Sequence, residues 1–158
     1  MSLVPASKAS SYQNLSVVIN KDAAFCANQS SSHVIQHMLS NNGQNSNSAF
    51  LQSKHDAQMI LHIPFSAPVG IRYIKLLTPA QFAKAKPKTI KLFVNRPALD
   101  FNDVNQVTPV QQFELTEDSD DKQIYELKFV KFLNVTDLTV CIFSCCLPLL
   151  TIIQKDFC

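Results

Sequence analysis

From Phe50 onward, apolar side chains recur at every second position, in short runs that end at prolines rather than glycines. Leu61, Ile63 and Phe65 alternate with His62 and Pro64, and Ile90, Leu92 and Val94 alternate with Lys91, Phe93 and Asn95. Tyr125, Leu127 and Phe129 alternate with Glu126 and Lys128, and Leu138, Val140 and Ile142 with Thr139 and Cys141. Arg72–Leu77 and Phe113-Glu114-Leu115 add two further runs. A strand points successive side chains to opposite faces, so a period of two marks strands with one face buried. Between the runs stand Ser66-Ala67-Pro68, Thr78-Pro79, Lys86-Pro87, Arg96-Pro97, Thr108-Pro109 and an acidic turn at Asp118–Asp121. Proline presets φ for a turn and cannot donate to a sheet ladder, so each one marks a boundary. Six or more short strands with polar turns predict an all-β fold, an antiparallel β-sandwich.

The first third of the chain is built differently. Residues 1–14 are small and polar without periodicity, and are expected to form a disordered lead-in. Order is expected to begin at Leu15–Ile19. Ala23–Leu39 is the only stretch with helical character, and Ser30–Ser32 weakens it. Ser40–Ser48 holds nothing but Ser, Asn, Gln and Gly, which cannot build a core and predict a flexible surface loop.

Only two glycines occur in 158 residues, Gly43 and Gly70, where ordinary usage gives roughly eleven. No GxGxxG, GxxxxGK or GxSxG loop can be written with them, which excludes most nucleotide-dependent enzymes and the nucleophile-elbow hydrolases. A formal net charge of +2 argues neither for nor against nucleic acid. Met1–Ser10 lacks the apolar core of a signal peptide. Cys26 stands alone while Cys141, Cys145, Cys146 and Cys158 crowd the C-terminal end, with no CxxC pair. These are therefore expected to be reduced thiols of a cytoplasmic or nuclear protein. The N-x-S/T matches at Asn14, Asn28 and Asn134 are then unused.

Several phrases now fall into a recognisable order. Ile19-Asn20-Lys21 and Cys26-Ala27-Asn28-Gln29-Ser30 precede Phe50-Leu51-Gln52-Ser53 and Asp56–Phe65; Pro87–Pro97 and Leu99-Asp100-Phe101 follow. Glu114–Asp118, Val130–Val135 and Leu138-Thr139-Val140 complete the series. Over about 15–142 this resembles the PITH domain, a module found alone or at the C-terminal end of thioredoxin-like proteins. The resemblance implies a jelly-roll-like β-sandwich of the galactose-binding type, without catalytic residues or cofactor. It further implies docking on the regulatory particle of the 26S proteasome, in cytoplasm and nucleus. Residues 143–158 depart from the family pattern and stand as a divergent apolar tail where a final strand is expected. An unpaired tail would leave a neighbouring strand as an open edge through which the chain could self-associate. The alternative function for the same architecture is a small-ligand or glycan-binding sandwich, which the absence of tryptophan and the presence of only three tyrosines disfavour.

Other clusters invite chemistry, and each has a plainer explanation. His33 and His37 share the i, i+4 spacing of zinc ligands, with Cys26 a third on paper, but the glutamate of an HExxH base is missing. Cys141, Cys145, Cys146 and Cys158 lack the knuckle spacing of a thiolate site. Lys84, Lys86 and Lys88 have only Phe82 nearby, too little for a nucleic-acid patch, so no such partner is expected. Glu114, Glu117, Asp118, Asp120 and Asp121 lack a calcium-loop order and predict a solvated hairpin turn. The apolar stretch 140–153, broken by Ser144 and Pro148, is too short to span a bilayer, so no membrane partner is expected. In the loop Asn95-Arg96-Pro97 to Asp100-Phe101, Asp100 is expected to cap a turn and Phe101 to plug the core, with Arg96 left open to recognition.

Overall fold

The computed structural model of the chain describes residues 13–32, 34–40, 51–77, 87–116, 122–143, 150–154 and 156–157. Two antiparallel sheets face each other. The larger holds β2 (Phe25–Ala27), β4 (Gln58–Val69), β9 (Val135–Phe143), β6 (Thr89–Val94) and β7 (Gln111–Glu114), in that spatial order. The smaller holds β3 (Leu51–Gln52), β10 (Leu150–Gln154), β5 (Tyr73–Leu77) and β8 (Lys122–Glu126). A short pair, β1 (Gln13–Asn14) with β11 (Asp156–Phe157), completes the described strands.

The alternation seen in the sequence becomes the core. Met59, Leu61, Ile63 and Phe65 of β4, Ile90 and Leu92 of β6, and Leu138, Val140 and Ile142 of β9 point inward. They meet Ile74, Tyr125, Leu127 and Phe132 from the smaller sheet and its turns, and Ile35 and Leu39 from helix α1 (Ile35–Ser40). The Phe113 and Tyr125 rings pack at 5.1 Å across the seam between the sheets. Gln111 fastens that seam, since its amide donates to the Glu126 carbonyl at 3.3 Å and accepts from the Lys128 N–H at 2.9 Å. On the opposite side, a bridge between Gln29 and Ser53 and the bond from Ser30 N–H to the Gln52 carbonyl at 2.7 Å join β2 to β3.

Several expectations need correction. Ala23–Leu39 is not one helical stretch: Phe25–Ala27 is a strand paired with His62–Ile60, and only Ile35–Ser40 is helical. Asn28 at φ 67° turns the chain between them, a conformation that ends a strand and cannot continue a helix. Gln13 and Asn14, placed by sequence in the disordered lead-in, pair with Phe157 and Asp156. Backbone groups need partners whatever the side-chain pattern, so polar residues without periodicity can still form a ladder. The remainder of the lead-in, 1–12, lies outside the described residues, as does most of the Ser40–Ser48 loop. The divergent tail needs no such correction: it stands in place of the expected final strand, and its Leu150–Gln154 enters the smaller sheet as an inner strand between β3 and β5.

The strands were expected to be half-buried, yet β4 is buried on both faces from Met59 to Ile63 and β9 from Asp137 to Ile142. On the outer face, Ile60, Phe93, Cys141 and Val104 form a second apolar cluster. Leu99, Phe101 and Val107 cover it from the segment that includes the short helix α2 (Asp103–Gln106). Asp100 organises that segment, its Oδ1 accepting the N–H groups of Asn102 and Asp103 at 2.8 and 2.9 Å.

All three described non-glycine residues with positive φ are asparagines: Asn28, Asn95 and Asn134. Asparagine tolerates the left-handed region better than other side chains and can satisfy nearby backbone groups at the same time. It takes the place of glycine here. Asn95 Oδ1 accepts from Thr136 N–H at 2.8 Å and from its hydroxyl at 3.0 Å, and Asn28 Nδ2 donates to the Gln58 carbonyl at 2.8 Å.

Candidate protein-interaction surface

One polar arrangement lies within reach of acid–base chemistry. His62, 3% exposed, lies under the outer cover of the larger sheet. Its Nε2 is 3.3 Å from the Leu99 carbonyl and its Nδ1 is 3.1 Å from the Thr139 hydroxyl. A carbonyl only accepts, so Nε2 carries the proton and Nδ1 is the acceptor. The Thr139 hydroxyl also lies 3.2 Å from the Arg96 carbonyl, and its single proton serves either that carbonyl or Nδ1. Burial lowers the imidazole pKa, against the opposing pull of the Leu99 carbonyl and Asp137. This buried hydroxyl–imidazole pair is bonded to the Leu99 and Arg96 carbonyls and so holds the 96–99 loop to the sheet. It offers a substrate no approach.

The thiols are similarly enclosed. Burial pushes Cys26 and Cys141 up to about 12, which removes thiolate reactivity near neutral pH. Cys145, Cys146 and Cys158 lie outside the described residues. His37 is exposed on α1 and His33 lies outside the described residues. Among the described residues no three His, Cys, Asp or Glu side chains are grouped to hold a metal. None of their helices is long and apolar enough to cross a membrane.

Lys88 is exposed and bonds through its backbone to the Phe143 carbonyl at 2.7 Å; Lys84, Lys86 and Phe82 lie outside the described residues. Glu114 accepts from Thr89 Oγ1 and Gln112 Nε2, both at 2.7 Å, which holds its carboxyl below the ordinary range. Glu117, Asp118, Asp120 and Asp121 lie outside the described residues. Arg96 has an exposed side chain while its N–H donates to Asp137 Oδ1 at 3.1 Å.

The surface feature that sequence reasoning missed lies where β4 leaves the sheet at Val69 and β9 enters at Val135. Three of the four large exposed apolar side chains among the described residues stand on turns at this end. They are Val17 at 84%, Val130 at 83% and Leu133 at 47%. Val17 belongs to a 3₁₀ turn, Leu15–Val18, tied to β4 by Ser66 Oγ donating to the Val18 carbonyl at 3.1 Å. Val130 belongs to a second, Phe129–Phe132. Phe132, fully buried, anchors this turn, and its carbonyl accepts the Ile71 N–H at 3.0 Å. Phe129 lies between the Arg72 guanidinium, 4.4 Å from the ring centroid, and the backbone of Gly70. A Cβ at position 70 would stand 3.2 Å from Phe129 Cε2, so the bare backbone lets the ring settle. In sequence, Phe129-Val130-Lys131-Phe132-Leu133 looks like one core run. The 3₁₀ turn divides it, sending Phe132 inward and Val130 outward.

Two facing antiparallel sheets define a β-sandwich domain. Its architecture is that of the galactose-binding-like jelly rolls. It superposes on a CBM32 domain of Clostridium perfringens bound to GalNAc-β-1,3-galactose with a TM-score of 0.64, 9% identity, and coverage of 92% of this chain and 100% of that one. A second C. perfringens family 32 module, from NanJ in complex with galactose, gives 0.62 at 6% identity, covering 88% and 97%. At such identity the likeness is one of fold.

The chain belongs to the PITH domain family, whose pattern matches residues 5–145. It is 33% identical over 136 residues to thioredoxin-like protein 1 of Schizosaccharomyces pombe, covering 84% of this chain and 46% of that protein. It is 30% identical over 91 residues to PITH domain-containing protein 1 of Dictyostelium discoideum, covering 58% and 44%. The chain thus spans less than half the length of these relatives.

Proposed function

We propose that this chain is a non-enzymatic protein-interaction module that docks on the regulatory particle of the 26S proteasome, in the cytoplasm and nucleus. The observation that carries the reading is the PITH domain match over 5–145, nearly the whole described sandwich. The exposed apolar turns at one end supply a surface suited to protein contact, since solvent-facing valines bury favourably against a partner. The enclosed state of His62, Cys26 and Cys141 leaves those candidate groups without access to substrate. The test is co-purification of the tagged chain with regulatory-particle subunits, against a control with scrambled loops. Enrichment over that control is expected, and equal recovery from both removes the docking function.

The CBM32 likeness supports a second reading, glycan binding. Sugar sites favour exposed aromatic platforms with convergent polar groups. Tyr73 and Tyr125 are buried in the core here, and the exposed Phe25 lies against His62. A glycan array probed with the purified chain decides it: saturable binding to any sugar favours this reading, and a blank array retires it.

A further inference from the structure

The outer face of the larger sheet carries a transverse row. Register places Phe25 of β2, His62 of β4, Thr139 of β9 and Phe93 of β6 side by side. Residues 96–107 cross this face as a strap, with Leu99, Phe101 and Val107 over the apolar cluster. Sheet side chains meet three carbonyls of the strap: His62 that of Leu99, Thr139 that of Arg96, and Lys91 Nζ that of Val104 at 3.3 Å.

The row is one proton short. The Leu99 carbonyl, His62 Nδ1 and the Arg96 carbonyl are three acceptors, while Nε2–H and the Thr139 hydroxyl supply two protons. With the imidazole neutral, the hydroxyl serves Nδ1 or the Arg96 carbonyl and leaves the other without it. A proton added to the Nδ1 lone pair removes the shortfall. Nδ1–H then donates to Thr139 Oγ1, whose own proton goes to the Arg96 carbonyl, while Nε2–H stays on Leu99. No heavy atom has to move, because the hydroxyl proton rotates to suit its partner.

We infer that His62 is a proton-uptake site of the folded chain, where a proton from water reverses the His62–Thr139 hydrogen bond and leaves the strap closed. Burial opposes the new charge and outweighs the Leu99 bond and Asp137, so uptake lies below the ordinary 6.5. Asp137 of β9 is the carboxylate that favours the charged ring. β2 presents the uncharged Phe25 ring, stacked at 4.3 Å. On the strap, the Arg96 side chain is exposed. The Asp100 carboxyl accepts from the N–H groups of Asn102 and Asp103, and the Asp103 carboxyl from that of Asp100. Lys91 of β6 is bonded to the Val104 carbonyl, and burial keeps the Cys26 and Cys141 thiols neutral.

The test is NMR of the whole chain with labelled histidine nitrogens, titrated from about pH 7.5 to about pH 4.5 to span the imidazole range. The neutral ring is expected to carry its proton on Nε2 and to take up the second while the chain stays folded. Contacts of Leu99 and Phe101 with the Ile60–Phe93–Cys141 cluster are expected to persist below the transition. Thr139→Val removes the acceptor for Nδ1–H and is expected to weaken proton binding by His62 about tenfold. Thr139→Ser keeps the hydroxyl and is expected to titrate as the wild type does. Loss of the strap contacts as the ring titrates overturns the inference, as does a neutral ring protonated on Nδ1. So does a ring that stays neutral until the chain unfolds. Equal midpoints in Thr139→Val and wild type, or a serine variant as weak as the valine one, also overturn it. Where neither variant folds, the wild-type titration decides: a charged ring beneath a closed strap sustains the inference.

Discussion

The Phe25 ring lies over the His62 imidazole, with centroids 4.3 Å apart and planes inclined by 25°. Phe25 is itself about half exposed, so a single ring on the edge strand shields the imidazole on this side from water.

That shielding has a pH signature. The folded state holds the His62 pKa below its ordinary 6.5, so between the two values the unfolded chain binds a proton that the folded chain refuses. Stability therefore declines as pH falls through 6.5 and stops declining, for this group, below the folded pKa. The melting midpoint is expected to drop from about pH 7 to about pH 5.5, and His62→Gln is expected to flatten that slope. An equal slope in both proteins assigns the effect to other groups.

Asn95 combines two roles that substitution can separate. Asn95→Gly keeps the φ of 56° accessible and loses the bonds to Thr136. Asn95→Ala loses the bonds and also strains the backbone, so it is expected to be less stable than the glycine variant by about 1 kcal/mol. Urea denaturation of the pair measures the difference, and equal midpoints remove the conformational part of the account.

Gly70 is needed for close approach. Gly70→Ala places a methyl group 3.2 Å from the Phe129 ring, which the Arg72 guanidinium covers at 4.4 Å. Overpacking of this kind is expected to cost about 1 kcal/mol and to shift the 128–133 turn. Adding Phe129→Leu, with its smaller side chain, is expected to restore part of the stability in thermal melts.

The same enclosure makes Cys26 and Cys141 silent. With both thiols raised to about 12, iodoacetamide at about pH 8 is expected to leave them unmodified in the native protein and to label them after denaturation. Peptide mass spectrometry distinguishes the two states, and rapid native labelling of Cys141 would mean that the 99–107 cover opens.

The strands legible in the sequence were those whose period of two is set by the inner core, such as Leu138, Val140 and Ile142. The second layer was not legible. Phe93 and Cys141 occupy the positions that alternation assigns to solvent, and what buries them is Leu99, Phe101 and Val107, from a segment with no period of its own. Phe25–Ala27 was hidden for a related reason, because three residues are too few to display alternation. The candidate surface failed the other way. Val130 sits among apolar neighbours, and only the 3₁₀ geometry of Phe129–Phe132 decides which of them faces water. Asp100 was readable because its turn bonds are local.

The place of β10 between β3 and β5 also governs when this molecule can fold. The five-stranded sheet needs nothing beyond Phe143 and can assemble once that residue has left the ribosome. The four-stranded sheet cannot, because the strand that joins its parts is translated after everything it touches. During synthesis β3 and β5 wait with a vacant slot between them, the interval in which a nascent sheet is most open to a chaperone or a wrong partner. The order of translation thus makes one half of the sandwich a template and the other a late closure.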